Sequence, residues 1–242
     1  MKTIAENTTK NTHNVVYQLL LENQDCRTVL DIPCGAGAFT QRLLQHKFVV
    51  YASDIENILQ CPNPLFQPAD MNQPLPFAPD FFDAVVSIDG IEHIERPFDF
   101  VRECHRILKT GGQLIISTPN ISSLRSRWRW FLTGHHNKCR TPLDECHPNP
   151  LHHISMISYP EIRYLLHSNG FQITTITTNR IKPVSYLYIP CLPFSYLATR
   201  VVYQKHERDP DQKIRNQEIL RQMFSTPVLF GETLIVKAVC RK

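Results

Sequence analysis

TVLDIPCGAGAFT, residues 28–40, is the stretch that decides the fold predicted for this chain. Apolar residues surround Asp31 and a Gly-Ala-Gly turn follows, as is typical of a buried strand that ends at a ligand-binding loop. Gly35 and Gly37 carry no Cβ, so a ligand can approach the main-chain N–H groups of the turn closely. The stretch therefore predicts a strand and a turn that bind a ligand.

A second strand, Phe48–Ser53, ends at Asp54, about 20 residues beyond the glycines, where nucleotide-binding folds place an acid on the ribose hydroxyls. A dinucleotide fingerprint requires a third glycine where Thr40 stands, and the Asp31 carboxylate would repel a pyrophosphate. The same carboxylate suits S-adenosylmethionine, whose amino-acid end is cationic and which carries no phosphate. The sequence therefore favours S-adenosylmethionine over a nicotinamide; a structural turn with two incidental acids is the alternative.

Further motifs extend this pattern, namely ASDIE, PADMNQPLPF, FFDAVVSIDGIEHI and ECHRILKTGGQLIISTPN. With them, residues 29–120 resemble the class I S-adenosylmethionine-dependent methyltransferases, and the motif pattern is similar to that of ubiquinone-biosynthesis O-methyltransferases. In that family the acid ending the second strand binds the ribose, and the residue pair after the third strand borders the adenine. The resemblance implies these roles for Asp54, and for Asp70 with Met71. The expected cofactor-binding residues are Asp31, Pro33, Cys34, Gly35, Gly37, Asp54, Ile55, Asp70, Met71 and Ile88.

The order of predicted elements indicates an α/β fold with a doubly wound, seven-stranded, Rossmann-like methyltransferase sheet. The expected helices are Val15–Glu22, Phe39–His46, Phe98–Leu108 and Tyr159–Ser168. After the first two strands, the expected strands are one that ends at Asp70, then Asp83–Ser87, Gln113–Ser117, Phe171–Thr178 and Glu232–Val239. The pair Gly111-Gly112 is expected to end the helix that precedes the fifth strand.

The chain is expected to form one domain, residues 1–242. Its parts are an N-terminal helical cover (1–27), a cofactor-binding half (28–120), a lid insertion after strand five (121–157) and a C-terminal half (158–242). The last of these contains an elaborated segment before strand seven (179–231). Ligands of such sheets bind beyond the carboxyl ends of the strands, so both elaborations are candidates for covering the substrate.

The composition is ordinary for a globular protein, with 42% hydrophobic and 20% charged residues and a net charge of +4. This charge is too small to sustain non-specific nucleic-acid binding, so no nucleic-acid partner is expected. The short basic run Arg125, Arg127 and Arg129 is expected to form a helix face or to contact an acidic substrate group. Residues 1–14 are polar and are not expected to be a signal peptide. The eight cysteines lack the regular spacing of a disulfide framework and are expected to be reduced thiols in a cytoplasmic protein.

Asp89, Glu92 and His93 follow the fourth strand, where an oxygen nucleophile would need a base. The spacing is similar to the Glu-x-x-Glu-His of ubiquinone-pathway O-methyltransferases and of small-RNA 2′-O-methyltransferases, in which it holds a divalent metal that binds the acceptor oxygen. The resemblance implies a site for Mg²⁺ or another divalent metal at these three residues. The alternative is that Glu92 and His93 line the pocket without a metal.

The lid insertion is rich in histidine and cysteine, with His135, His136, Cys139, Cys146, His147, His152 and His153. No Cys-x-x-Cys pair is present, so a structural zinc is not favoured. Either His152 or His153 is expected to face the acceptor, as general base or as an additional metal ligand, beside His93.

The sequence therefore predicts methyl transfer to a hydroxyl of a small-molecule, lipid-linked or glycan-linked acceptor. N- or C-methylation, or a non-catalytic S-adenosylmethionine-binding module, remain alternatives. The uncharged stretch 183–199 is broken by prolines and is too short to span a membrane. It is expected either to lie in a membrane interface as a peripheral contact or to pack as a lid or dimer surface, in a monomer or a homodimer.

Overall fold

Seven strands form one sheet in the computed structural model, which describes residues 4–46, 48–62, 64–138, 142–205 and 207–242. The strands are β1 (Thr28–Asp31), β2 (Val49–Ala52), β3 (Leu65–Phe66), β4 (Phe82–Ile88), β5 (Leu108–Pro119), β6 (Phe171–Thr178) and β7 (Thr233–Cys240). Their order is β3-β2-β1-β4-β5-β7-β6, and β7 runs antiparallel to β5 and β6 while the other neighbours are parallel. The predicted doubly wound, seven-stranded sheet is confirmed.

Helices cover both faces of the sheet. The α-helices are α1 (Thr12–Leu21), α2 (Ala38–Leu44), α3 (Pro97–Ile107), α4 (Leu124–Thr133), α5 (Tyr159–His167), α6 (Leu192–Lys205), α7 (Pro210–Met223) and α8 (Thr226–Phe230). Two 3-10 helices, Ile91–His93 and Pro183–Cys191, complete the elements of the described residues. No helix among the described residues is both long enough and apolar enough to cross a bilayer.

Alternation along the strands explains why the sheet has helices on two sides. Successive side chains of a strand point to opposite faces, so an unbroken apolar run supplies two cores. In β5, Leu114 joins the core under α3 and α5, whereas Ile115 joins the core under α1 and α2. Leu234 and Ile235 in β7 divide in the same way. The central strands are therefore buried on both sides, and binding residues must lie at the strand ends.

Two elements end at places different from those predicted. The third strand was expected to end at Asp70, but β3 is only two residues long and ends at Phe66. The following residues stay beside β2, because the Ala69 N–H donates to the Asp54 carbonyl at 3.0 Å. Prolines at positions 62, 64 and 68 remove N–H donors from this edge, which limits the length of a regular strand.

The prediction that the glycine pair Gly111-Gly112 ends helix α3 is wrong. The helix ends at Ile107 and β5 begins at the next residue, with Leu108 paired to Phe82. The register against β4 then shifts before Gln113 pairs with Ala84. Gly111, at φ +79°, lies in this irregularity, where the left-handed conformation favours glycine.

Gly170, between α5 and β6, is expected to be more sensitive to substitution than other left-handed glycines. Its φ is +81°, and a Cβ there would lie 2.5 Å from Nε2 of His105, which itself bonds to the Arg241 carbonyl. Gly134 is the matched control, because its φ is +69° but a Cβ would meet open space. In urea unfolding, Gly134→Ala should lower the free energy of unfolding by about 1 kcal/mol, because alanine disfavours the left-handed backbone. Gly170→Ala should lower it by at least about 1 kcal/mol more, because the added Cβ also displaces His105. Equal losses would contradict the proposed contact with His105.

Candidate active site

The turn between β1 and α2 brings the two motif glycines into different surroundings. Gly35 has φ +51° and open space where its Cβ would stand, so its backbone is accessible to a ligand. Gly37 has φ +87°, and a Cβ there would lie 2.7 Å from both Leu59 and Cys61. The lack of a side chain at Gly37 therefore accommodates the segment after β2, whereas at Gly35 it leaves space for a ligand.

Asp31 ends β1 with its side chain fully buried and directed at the first turn of α2, next to the glycine turn. Its Oδ2 accepts a hydrogen bond from Oγ1 of Thr40 at 2.6 Å. Burial raises the pKa of Asp31 to about 7, although the bond from Thr40 opposes this shift. A cation placed beside the turn would favour the charged carboxylate. Thr40, which stands where a dinucleotide fingerprint has glycine, is thus a partner of Asp31 that the sequence analysis did not identify.

Asp54 connects the end of β2 to the same turn. Its Oδ2 accepts from the Gly35 N–H at 2.9 Å, and its Oδ1 accepts from the Ile55 N–H at 2.8 Å. Ile55 itself is exposed. The adjacent Ser53 hydroxyl is buried without a hydrogen-bond partner among the described residues. The carboxylate is therefore held at the edge of the turn, with a polar group left unsatisfied beside it.

The other predicted cofactor residues surround this edge. Pro33 and Cys34 form the start of the turn, and the Cys34 N–H donates to the Ser53 carbonyl at 2.9 Å. Asp70 accepts from the Asn72 N–H at 2.8 Å, and Met71 is buried in the core. Ile88 is the last residue of β4 and is also buried. The structure thus places the predicted residues around the carboxyl ends of β1, β2 and β4.

Three side chains with metal-binding atoms converge beyond the end of β4. Glu92 and His93 lie in the 3-10 helix after this strand, and His153 comes from the lid insertion. One ligand atom from each lies within 4.8 Å of the others. The imidazole rings of His93 and His153 are in edge contact, with 4.7 Å between their centroids. Together these three side chains form the Glu92 cluster.

The buried Glu92 carboxyl is the polar group with the least compensation in the cluster. Neither of its oxygens has a hydrogen-bond partner of good geometry among the described residues, and Nδ1 of His153 has none either. Burial, with a further contribution from the Asp89 carboxylate, raises the pKa of Glu92 to about 8. Burial also lowers the pKa of His93 and His153, which favours neutral imidazoles. Unpaired buried donors and acceptors of this kind are expected where a ligand or an ion binds.

His93 is oriented by the backbone of the lid. Its Nδ1 lies 3.1 Å from the carbonyl oxygen of His152, and in the tautomer that donates this bond the Nε2 lone pair is free to bind a metal or to accept a proton. His152 therefore contributes its carbonyl to this arrangement. Of the two lid histidines considered in the sequence analysis, the structure brings the His153 side chain into the cluster.

Asp89, which the sequence analysis grouped with Glu92 and His93, lies outside the cluster. Its carboxylate accepts hydrogen bonds from Ser117 at 2.7 Å and from the Thr8 hydroxyl. The left-handed backbone at Asp89, φ +47°, accompanies this turn away from the strand. These two hydroxyls hold the carboxylate outside the group of ligand atoms, although Asp89 remains close enough to act electrostatically on Glu92, His93 and His153.

The remaining residues of the lid's histidine and cysteine group are dispersed. Nδ1 of His136 lies 3.1 Å from the Ser126 hydroxyl, and His147 pairs with Asp144 at 3.1 Å on the surface. Cys139 lies outside the described residues. Among the described residues, the cluster of Glu92, His93 and His153 is the one arrangement that could hold a metal.

A family model described as a methyltransferase domain matches residues 5–176 of the chain. The chain belongs to this methyltransferase family. It is 32% identical over 103 residues to the ubiquinone biosynthesis O-methyltransferase of Caulobacter vibrioides, covering 38% of this chain and 41% of the relative. It is 34% identical over 114 residues to a Mycobacterium tuberculosis protein named "Probable S-adenosylmethionine-dependent methyltransferase", covering 45% and 41%. The chain thus aligns with about two fifths of the length of each of these relatives.

Among solved structures, the methyltransferase has the fold of an S-adenosylmethionine-dependent methyltransferase from Archaeoglobus fulgidus. The TM-score is 0.57 over 94% of both chains, at 18% identity. The resemblance stated from the motifs is thereby confirmed for the family and for the fold.

The raised pKa of Asp31 predicts how stability depends on pH. The folded state holds a proton on Asp31 up to about pH 7, whereas the unfolded chain releases it near pH 4. Stability due to this group should therefore fall between pH 4 and 7 and remain constant above. The test is urea unfolding of the ligand-free Asp31→Asn variant and of the native protein at several pH values. The free energy of unfolding of the variant, relative to that of the native protein, should rise by more than about 1.4 kcal/mol, the energy of one pKa unit, between pH 4 and 7.

Asp83 provides a control of opposite sign. Its partial burial is outweighed by Lys109 and by backbone N–H groups, so that its pKa is lowered. Its stabilising contribution is present above pH 4 and is lost only as the pH falls below that value. Asp83→Asn should therefore lower the free energy of unfolding by an amount that is the same at every pH between 4 and 7. A pH-independent effect of Asp31→Asn would show that Asp31 is not protonated in the folded protein.

Proposed function

We propose that the protein transfers the methyl group of S-adenosylmethionine to a hydroxyl oxygen of a small-molecule, lipid-linked or glycan-linked acceptor. The observation that carries the proposal is the Glu92 cluster, a buried unpaired carboxyl with two imidazoles, next to the edge formed by Asp31, Gly35 and Asp54. The similarity to a ubiquinone biosynthesis O-methyltransferase supports oxygen as the acceptor atom.

S-adenosylmethionine supplies a methyl group already activated on a sulfonium, so the protein must bind, orient and exclude water. Asp31 would lie near the cationic amino-acid end, because it ends β1 just before the open Gly35 turn and its carboxyl meets the first turn of α2 that follows. Asp54 would accept from the ribose hydroxyls beside its bond to Gly35. Asp70 and Met71, on the far side of β2, would border the adenine. The unpartnered Ser53 hydroxyl fits a polar ligand at this edge.

The Glu92 cluster fits a divalent metal. One carboxylate and two neutral imidazoles form a donor set that catalytic zinc sites use, with a further position open to substrate. The second imidazole moves the preference from Mg²⁺ towards Zn²⁺ or another transition-metal ion. A cation held there would lower the pKa of an acceptor hydroxyl. Without a cation, the neutral His93 or His153 can accept the acceptor's proton, because burial lowers the pKa of both imidazoles.

A non-catalytic binding module would retain the Asp31 and Asp54 edge but would have no use for the Glu92 cluster. Burying an unpaired carboxyl is costly, and a protein without chemistry to perform would gain nothing from it. N- or C-methylation needs neither the metal nor the same base, and no feature of the cluster favours it over O-methylation.

The choice of cofactor is tested by binding. The purified protein should bind S-adenosylhomocysteine in calorimetry and should show no measurable affinity for NAD. Asp54→Ala should weaken S-adenosylhomocysteine binding by about tenfold or more, since hydrogen bonds to a charged group contribute about 1.5–3 kcal/mol. Asp25→Ala, an exposed acid outside the site, is the control and should bind normally. Preference for NAD would refute the charge argument at Asp31.

The metal is tested with two variants of the cluster and one variant of the exposed part of the lid. His153→Ala and Glu92→Gln should lower the affinity for Zn²⁺ or Mn²⁺ in titration calorimetry by about tenfold or more, and should abolish turnover of a hydroxyl acceptor from a panel of phenols and glycans. His147→Ala, on the exposed part of the lid, should leave both unchanged. Turnover that resists a chelator and survives His153→Ala would exclude the metal. Loss of turnover in His153→Ala without metal binding in any form would instead assign His153 as a base.

A further inference from the structure

Three elements of the two elaborations pack together into one surface. They are α4, the 3-10 helix Pro183–Cys191 and α6, which we call the α4–α6 face. The 3-10 helix contacts both α-helices, and Nη1 of Arg127 in α4 donates to the Ser195 hydroxyl in α6 at 3.2 Å. The face is therefore a structural unit and not a set of independent loops.

Large apolar side chains occupy the outer side of this face. Phe131, Leu187 and Phe194 are 73%, 75% and 79% exposed. Other exposed large apolar residues of the face are Trp128, Trp130, Leu132, Val184, Tyr186, Ile189, Tyr196, Leu197, Val201 and Val202. None of the fourteen residues of α6, all of them described, is buried. Soluble proteins rarely group so many exposed apolar residues unless the surface binds something.

The charge of the face has one sign. Residues 121–143 and 179–206 carry nine of the chain's 26 Lys and Arg residues and none of its 22 Asp and Glu residues. The rest of the chain has an excess of acids, although the whole chain has a net charge of +4. Arg200, which is exposed on α6, bonds to the uncharged Gln204, and no ion pair is seen for it among the described residues. Lys138, Arg180 and Lys182 pair with Glu232. Arg200 and Lys205, both on α6, are exposed and can approach an anionic partner.

An anionic lipid bilayer matches both properties better than a second copy of the chain does. Trp and Tyr favour the headgroup region, and each basic residue near an anionic membrane contributes about 1 kcal/mol. In a symmetric dimer through this face, the basic residues of one copy would oppose those of the other without an acid between them. An apolar protein partner would not explain why acids are absent from both segments.

We propose that the α4–α6 face lies in the headgroup interface of an anionic lipid bilayer, with its exposed aromatic side chains inserted and with Arg200 and Lys205 among the lipid phosphates. Helix α4 begins four residues after Asn120, at the end of β5, so the bilayer would lie beside the opening of the active site. That the acceptor is delivered from the membrane is a consequence that rests on the proposed function; the docking itself does not.

The test is co-sedimentation of the full chain with vesicles of phosphatidylcholine alone or with two fifths phosphatidylglycerol. Binding is expected only to the anionic vesicles and should weaken as salt is raised. Arg200→Glu should lower the partition coefficient at least about fivefold, the factor for one basic residue near such a surface. The double variant Leu187→Ser with Phe194→Ser should lower it at least as much, because both side chains are removed from the bilayer.

Two controls match these variants on other surfaces. Tyr164→Ser removes a side chain of α5 that is 67% exposed, and Arg102→Glu reverses an exposed charge of α3. Both should bind vesicles as the native protein does. Circular dichroism and S-adenosylhomocysteine binding, measured on every variant, establish that the fold and the cofactor site are intact.

Three results would overturn the docking proposal. The first is equal binding to neutral and anionic vesicles, and the second is unchanged vesicle binding of Arg200→Glu and of the double variant. The third is a native protein that forms a concentration-dependent dimer and does not bind vesicles, while the double variant stays monomeric. Vesicle binding without methyl transfer to any hydroxyl would overturn only the proposed function. Methyl transfer without vesicle binding would overturn only the docking.

Discussion

The hydrogen bonds accepted by Asp31 and Asp54 at the ends of two neighbouring strands support the rest of the site. The Asp54 carboxylate bonds to the Gly35 N–H in the turn between β1 and α2, and the Asp31 carboxyl bonds to Thr40 in the first turn of α2. Parallel strands bring these ends to one edge of the sheet, because β1 pairs in register with β2 and β4. The turn is thus fixed from both sides, and the strand on its other flank, β4, carries Glu92 into the same region.

The buried acids explain why the site is polar inside a protein whose strands are apolar. Asp31 and Glu92 both have raised pKa values because burial disfavours their charged forms. Burial of the two acids therefore lowers the stability of the ligand-free protein, and a bound cationic ligand would reduce this loss. A cationic amino-acid group at Asp31 and a metal ion at Glu92 would each act in this way. The two acids therefore predict that ligand binding stabilises the fold more than the number of contacts alone would suggest.

Local sequence was sufficient for the fold but not for the acceptor side of the site. Alternating or unbroken apolar runs located the long strands, and β6 has the predicted bounds Phe171–Thr178. The short β3 and the irregular start of β5 were missed, because prolines and a left-handed glycine act there against simple periodicity. Asp89 and Glu92 lie three residues apart, yet their environments differ: Asp89 is bound by hydroxyls from distant parts of the chain. Such partners, like Thr40 for Asp31, depend on tertiary contacts that spacing does not reveal.

His153 shows how an irregular segment can supply a side chain to a rigid site. The lid insertion is attached at both ends to segments that flank the sheet. At its start, Nδ2 of Asn120 lies 3.0–3.1 Å from the carbonyl oxygens of Pro227, Val228 and Gly231, among which its two N–H groups are shared. Near its end, Ser155 bonds through its N–H to the Glu92 carbonyl at 3.0 Å and through its hydroxyl to the Ile94 carbonyl at 2.5 Å. Two residues from this second attachment, His153 has little freedom to leave Glu92. Helix α4 lies in the part of the lid between these attachments and contributes no side chain to the Glu92 cluster. The chemistry of the cluster therefore does not determine which residues α4 exposes on its surface.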